Sequence, residues 1–366
     1  MKLFKPIVLA ASAALALACT TAPEEQQNPL AAALTSAVES GSYLYAHQDA
    51  LPYGHFGISD ISDPLANCDV LDVCGDYPAI AGFDLGGIEL GNEANLDGVS
   101  FDLMRAQASA FAQAGGIVTF SWHLRNPFTG GDAWDVSSDK AVASVLEGGE
   151  CHEMFLTWLG RVADFLESIK DADGQPIPCI FRPWHENTGS WFWWGERLCT
   201  DEEYVALWQL TYDVIAVERG LDNYLWAYSP SSTDIELSMG RYPGDDILDI
   251  IGVDCYDHYE DAGVHQDFIA NMKRSLDFLT PVAEEHGLLL AVTETGQESI
   301  PCKTWWTEAL QPGLEGYPVS YVLTWRNASD RPTHFFGPWK GAVCEEDFVA
   351  FYESEKTVFL KDIDWK

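Results

Sequence analysis

Two short stretches carry residue types that could do acid/base chemistry. Arg182-Pro-Trp-His-Glu186 sets a guanidinium, an imidazole and a carboxyl group directly after an apolar run, Pro178-Cys-Ile-Phe181. Ala291-Val-Thr-Glu294 also leads from apolar residues to a carboxyl group. Two carboxyls at the ends of buried strands are what cutting a glycosidic bond requires. One protonates the departing oxygen and the other attacks or activates water. Trp191, Phe192, Trp193 and Trp194 stand consecutively a few residues after the first stretch, between Gly189 and Gly195. Flat aromatic faces stack on the C–H faces of sugars, which favours a saccharide substrate. A surface glutamate beside a core aromatic cluster is the plainer reading of Glu186 taken alone.

The elements that would position these groups alternate along the chain. Apolar strands are expected at Tyr43–His47, Ala79–Asp84, Ile117–His123, Cys179–Arg182, Tyr224–Ser229, Ile250–Asp254, Leu288–Thr293 and Val319–Trp325. Helical stretches between them include Phe101–Ala114, Glu153–Ile169, Asp201–Glu218, Phe268–Glu285 and Glu345–Phe351. In the second of these, Phe155, Leu159, Val162, Leu166 and Ile169 recur at helical spacing and mark one buried face. Strands alternating with helices over most of a 366-residue chain fit a single α/β domain, a (β/α)8 TIM barrel over residues 40–366. A doubly wound sheet would want a glycine-rich phosphate loop after its first strand, and Gly82–Gly91 lacks that spacing. In a barrel, functional groups gather at the C-terminal ends of the strands. Those ends carry His47, Asp84, His123, Arg182, His185, Glu186, Asp254, Tyr256, Glu294, Trp325 and Arg326. Glu186 ends the fourth strand and Glu294 the seventh, so the two would face each other across the barrel mouth.

The stretches SWHLRNP (121–127), FRPWHENTGSWFWWG (181–195), GVDCYDHY (252–259), TETG (293–296) and YVLTWRN (321–327) stand in this order. With them the chain resembles glycoside hydrolase family 26, the β-mannanases with catalytic glutamates on strands four and seven. The resemblance implies a retaining endo-β-1,4-mannanase with Glu186 as acid/base and Glu294 as nucleophile. It further implies sugar contacts or supports at His123, His185, Trp191, Asp254, Tyr256, Trp325 and Arg326, with Tyr256 orienting the nucleophile and Trp191 and Trp325 as stacking platforms. Arg182 is expected to fix carboxylate geometry. A mannobiose-releasing enzyme, or a β-1,3-xylanase or mixed-linkage glucanase on the same scaffold, is the alternative within the class. Outside it stand a non-catalytic glycan-binding lipoprotein, which would not need two opposed carboxyls, and a metal-dependent hydrolase using His123, His185 and His258. No metal or cofactor is expected, and a monomer is.

Charge narrows the partners. Lys and Arg number 20 against 57 Asp and Glu, a net charge of −37. Such a surface repels phosphate backbones, which argues against nucleic acid and suits a neutral polysaccharide. Lys2 and Lys5 precede a largely apolar stretch from Ile7 to Ala18 that is too short to span a bilayer and ends at Cys19. Residues 1–19 therefore read as an export signal of lipoprotein type, with Cys19 as the lipidated residue. The expected location is the bacterial outer membrane, cell surface or periplasm. Residues 20–39 read as a polar tether and lead-in. Export permits disulfides, for which Cys68–Cys74, then Cys302–Cys344, then Cys151–Cys199 are the candidate pairs. Cys179 and Cys255, inside apparent strands, are expected to stay free and buried.

Overall fold

The computed structural model describes residues 28–258 and 265–363. Eight strands form the barrel: β1 Tyr43–Gln48, β2 Ile80–Asp84, β3 Ile117–Ser121, β4 Cys179–Arg182, β5 Tyr224–Tyr228, β6 Ile250–Asp257, β7 Leu289–Gln297 and β8 Val319–Thr324. Each pairs in parallel with the next, and β8 pairs back onto β1 with Leu44 opposite Tyr321, so the sheet closes. The expected (β/α)8 barrel is the fold found.

Side chains alternate between the two faces of a strand, and the two buried clusters follow that alternation. Leu44, Ala46, Ile80, Ile117, Ile180, Leu225, Ile250, Ala291, Tyr321 and Leu323 fill the barrel interior. Their neighbours Tyr45, Ala81, Val118, Phe181, Ile251, Val292 and Val322 belong to the layer packed under the helices. Continuing the inward parity along each strand brings Asp84, Ser121, Arg182, Asp254, Tyr256 and Trp325 to the C-terminal mouth.

β7 departs from this parity. Val253 of β6 pairs with Val292, but Asp254 pairs with Glu294, so one extra residue, Thr293, is inserted at that point. A bulge of this kind turns the following side chain to the other face. Without it Glu294 would share the parity of Val292 and point toward the helices. The space for the inserted residue comes from Gly252, where a Cβ would lie 2.5 Å from Thr293 Cγ2.

Two expectations change. Residues 29–39, read as part of the lead-in, form helix α1 (Pro29–Glu39), started by Asn28, whose Oδ1 accepts the Leu30 N–H at 3.0 Å. Leu30, Leu34 and Ala37 recur on one helix face and join the barrel-interior cluster, so α1 closes the end of the barrel opposite the site. The eight described cysteines are free, and none of the three expected pairs forms. Cys68 and Cys74 bracket a helix, Asp69–Cys74. Six residues of helical rise separate them by about 9 Å, beyond the reach of about 7 Å for a disulfide. Cys151 Sγ instead donates to the Pro127 carbonyl at 3.4 Å, and Cys199 Sγ to that of Trp194 at 3.6 Å, while Cys302 and Cys344 are buried without a bridge. Cys179 and Cys255 are buried and unpaired, as expected. Cys19 and residues 1–27 lie outside the described residues, as do residues 259–264. No described helix is long and apolar enough to cross a membrane.

Candidate active site

The chain leaves β4 through an unusual turn. Trp184 and Glu186 both have positive φ, 56° and 54°. Non-glycine residues adopt that region at a cost, and such strain persists only where surrounding structure imposes it. Here the Glu186 N–H is pinned by the Ser229 carbonyl at the end of β5, at 2.7 Å. The Trp184 ring is wholly buried and its Nε1–H donates to Thr211 Oγ1 at 3.1 Å. The turn delivers the half-buried Glu186 side chain to the cleft.

Glu294, re-aimed by the bulge, comes in from β7. One carboxyl oxygen from each of Glu186, Asp254 and Glu294 lies within 4.8 Å of the others. Tyr256 Oη donates to Glu294 Oε2 at 2.7 Å, and Arg182 donates from NH2 to the other oxygen of Glu294. Arg182 NH1 reaches Asp254 at 3.0 Å. Burial works against a charged guanidinium, yet the carboxylates of Asp254 and Glu294 outweigh it and raise the Arg182 pKa. Arg182 thus touches the Glu294 carboxyl directly, a closer role than its sequence position suggests.

Glu186 has the opposite setting. Burial first, and then the negative charge of Glu294, push its pKa up to about 7, against the hydrogen bond from Trp191 Nε1–H. One carboxyl near neutrality beside another held by a guanidinium and a phenol is the arrangement that acid/base-plus-nucleophile chemistry needs. The same three carboxyls could in geometry hold a cation, but Arg182 already donates into two of them. His258, weighed as a metal ligand, stands on the rim with its ring stacked near Tyr256 at 6.2 Å.

Around the pair lies a cavity of about 640 Å³. Of the residues singled out from sequence, His123, Glu186, Tyr256, Glu294 and Trp325 line it. His185 is 1% exposed and sits behind His123, with the two Nε2 atoms 3.0 Å apart. Trp191 is partly buried against Glu186, whereas Trp193 and Trp194 are core residues with no exposure, so the aromatic run gives the cavity only Phe192. Asp254 and Arg326 were expected among the sugar contacts, and their charged groups turn to protein partners instead. Asp254 accepts from Arg182 and from Thr293 Oγ1 at 2.7 Å. Arg326 is 4% exposed and paired with Asp97 at 2.7 Å and Asp49 at 3.9 Å, over the ring of Tyr53. Isolated buried charges are costly, so groups this well paired face inward rather than toward the cleft.

Sequence reasoning passed over Trp134, which is 49% exposed, lines the cavity, and stacks on His123 at 5.4 Å and 17°. It sits in a long loop after β3 where no periodicity flags it. Glu298, His334 and Phe336 on the opposite lip went unnoticed for the same reason.

The profile of glycosyl hydrolase family 26 matches residues 39–307. The chain belongs to that family. Among solved structures, a family 26 β-mannanase of Bacteroides ovatus superposes with a TM-score of 0.85 at 44% identity, covering 91% of this chain and 96% of that one. The catalytic domain of an endo-β-1,4-mannanase from a Bacillus species superposes with a TM-score of 0.82 at 30% identity, covering 92% and 93%. The mannan endo-1,4-β-mannosidase of Bifidobacterium adolescentis is 33% identical over 331 residues, covering 83% of this chain but 32% of its own length. The enzyme of that name from Bacillus subtilis is 31% identical, covering 56% of this chain and 58% of its own. The chain thus spans about a third of the first of these two relatives and about three fifths of the second.

Proposed function

We propose that this family 26 member hydrolyses internal β-1,4-mannosidic bonds of mannan, galactomannan or glucomannan with retention of configuration. The observation that carries the reading is the approach of Glu186 and Glu294 to within 4.8 Å across the barrel mouth. Carboxyls about 5–5.5 Å apart suit a covalent intermediate, and wider pairs leave room for a water. Glu186, protonated near neutrality, gives its proton to the leaving oxygen while Glu294 attacks the anomeric carbon. Tyr256 and Arg182 hold the attacking carboxylate in line. Once Glu294 is esterified its charge is gone, the pKa of Glu186 falls, and Glu186 becomes the base that activates water. Trp325, Trp134 and Phe192 offer stacking faces, and His123 a polar contact. The printed activities of the Bacteroides, Bifidobacterium and Bacillus relatives support mannan as the substrate.

The deciding experiment follows products on linear mannan, galactomannan and glucomannan, with xylan and mixed-linkage glucan as controls. Expected are a rapid fall in viscosity, a spread of oligosaccharides, and the β-anomer appearing first by proton NMR. Early α-anomer would mean inversion and overturn the assignment of Glu294. A second reading, release of mannobiose, is favoured by one observation. The loops after β1, β2 and β8 are tied together by Arg326–Asp97, by Asn327 Nδ2 donating to Asp69 at 2.8 Å, and by Tyr53 Oη donating to Asp330. Ties of this kind narrow one end of a cleft, and mannobiose as the sole early product would establish that reading. Export as a monomeric lipoprotein anchored through Cys19 completes the proposal. It fails if the Cys19→Ala protein still fractionates with membranes as the parent does.

A further inference from the structure

From the wall of the cleft inward runs a chain of three polar side chains, Asp84, His123 and His185, of which the mechanism above uses only His123, and that only as a sugar contact. Asp84, at the end of β2, is 2% exposed. Its Oδ1 accepts the Gly86 N–H at 2.8 Å and lies 3.4 Å from the His123 N–H, while Oδ2 accepts Ser121 Oγ–H at 2.8 Å and contacts His123 Nδ1 at 2.7 Å. Every other group hydrogen-bonded to this carboxylate is a donor, and an ionised carboxylate only accepts, so the His123 contact also carries its proton on Nδ1. On the far side of the ring, His123 Nε2 meets His185 Nε2 at 3.0 Å, and a contact between two imidazole nitrogens holds a single proton.

We propose that Asp84 is a positioning residue: it fixes His123 as a doubly protonated imidazole that donates to His185, setting a lasting positive charge beside Glu186 and Glu294.

The placement of the shared proton follows from the neighbours of each ring. His185 is buried between Phe192 and Trp194, and Arg182 and His123 add positive charge nearby, so its pKa is pushed well below the usual imidazole range. It is the neutral acceptor. Burial opposes a charge on His123 too, but the charge and hydrogen bond of Asp84 outweigh it and raise its pKa. The partner shift agrees. Burial alone would raise Asp84, yet His123 and the N–H of Gly86 hold it at about 2. The other ionisable groups around His123 come from five elements. They are Asp49 after β1, Asp97 after β2, Arg182 and Glu186 from the β4 end, Glu294 on β7 and Arg326 after β8. Asp97 and Asp49 are answered by Arg326, and Glu294 by Arg182. The charge on His123 is answered mainly by Asp84. It acts on Glu186, whose pKa it lowers, and through that on the pH at which the acid step is lost.

Two measurements test this. In the wild-type protein, 15N NMR of labelled histidines at pH 7 should show one ring protonated on both nitrogens, assigned to His123 by its loss in His123→Ala. A His123 that is neutral at pH 7 overturns the proposal without any variant of Asp84 having to fold. In Asp84→Asn the amide still fills the space but no longer neutralises an imidazolium. The doubly protonated signal should disappear, kcat should fall about 10–100-fold with KM little changed, as for outer partners of reacting groups, and the alkaline limb of the profile should move to higher pH. A fall in activity with the limb unmoved means a merely structural role and also overturns the proposal. The kinetic arm rests on the mannanase reading for its substrate. The NMR arm needs none, so the two readings fail separately.

Discussion

Replacing Glu294, the proposed nucleophile, by Gln keeps its shape and removes its charge, and Glu186 should report the change. Its pKa stands at about 7 against an ordinary 4.5, with burial as the larger cause and the charge of Glu294 as the second. At 4.8 Å, the outer limit of the separation between their nearest carboxyl oxygens, Coulomb's law with an effective dielectric of about 20 would give ~3.5 kcal/mol, or ~2.5 pH units. That alone would account for the whole rise and leave nothing for burial. A site partly open to solvent and crossed by the Arg182 guanidinium screens more strongly. An effective dielectric of about 50 gives ~1.4 kcal/mol, or about 1 unit. The expectation for Glu294→Gln is therefore a fall in the Glu186 pKa of about 1 unit, with burial sustaining the remainder. On the proposed mechanism the variant lacks its nucleophile, so the assay is a 13C NMR titration of labelled glutamate side chains, with the Glu186 resonance assigned by its loss in Glu186→Gln. A midpoint that stays put or rises would refute the claim that the two carboxyls sense each other. With it would go the account of how Glu186 switches from acid to base.

The raised pKa also carries a stability cost. The folded protein binds more protons than the unfolded chain between about pH 4.5 and pH 7, so Glu186 makes stability fall as pH rises through that window. Glu186→Gln should accordingly be more stable than the parent by about 2–3 kcal/mol at pH 8 and little different at pH 4, read from urea unfolding at both values. Glu186→Ala should still form the intermediate from substrates with good leaving groups, which need no proton, and azide should speed its breakdown; absence of any azide effect would count against the acid/base role. Gly252→Ala drives a Cβ to 2.5 Å from Thr293 Cγ2 at the bulge. It should destabilise by about 1–3 kcal/mol and lower kcat about 100-fold through displacement of Glu294; unchanged kcat would show that the bulge tolerates the shift.

Much of this was legible in the chain. The barrel is written in the alternation of eight apolar runs with amphipathic helices, because each strand needs burial on both faces and each helix on one. Asp84, Ser121, His123, Arg182, Tyr256 and Trp325 follow inward parity to the mouth, so their convergence is visible once the strands are placed. Helix α1 was not seen, because Leu30, Leu34 and Ala37 form too short a stripe to stand out in an alanine-rich segment. Trp134 was not seen because a loop residue has no periodicity to betray it. The direction in which Asp254 and Arg326 turn was hidden too. It depends on which opposite charge lies nearest in space, and their partners Arg182 and Asp97 are far away along the chain.

Glu294 marks the boundary between the two kinds of knowledge. Its sequence neighbourhood names it as a catalytic carboxyl at the end of a strand, and the composition of the motif is enough for that. Strict alternation from Ala291 would nevertheless send it away from the cleft. Only the pairing of β7 with β6, where Asp254 meets Glu294 and Thr293 is left over beside Gly252, turns the carboxyl toward Glu186. The sequence determined that two carboxyls would be present at one rim. Tertiary structure decided that they would face each other at a distance short enough for a covalent intermediate. The direction of a strand-end side chain is set by the register of its neighbour, which the strand's own residues do not contain.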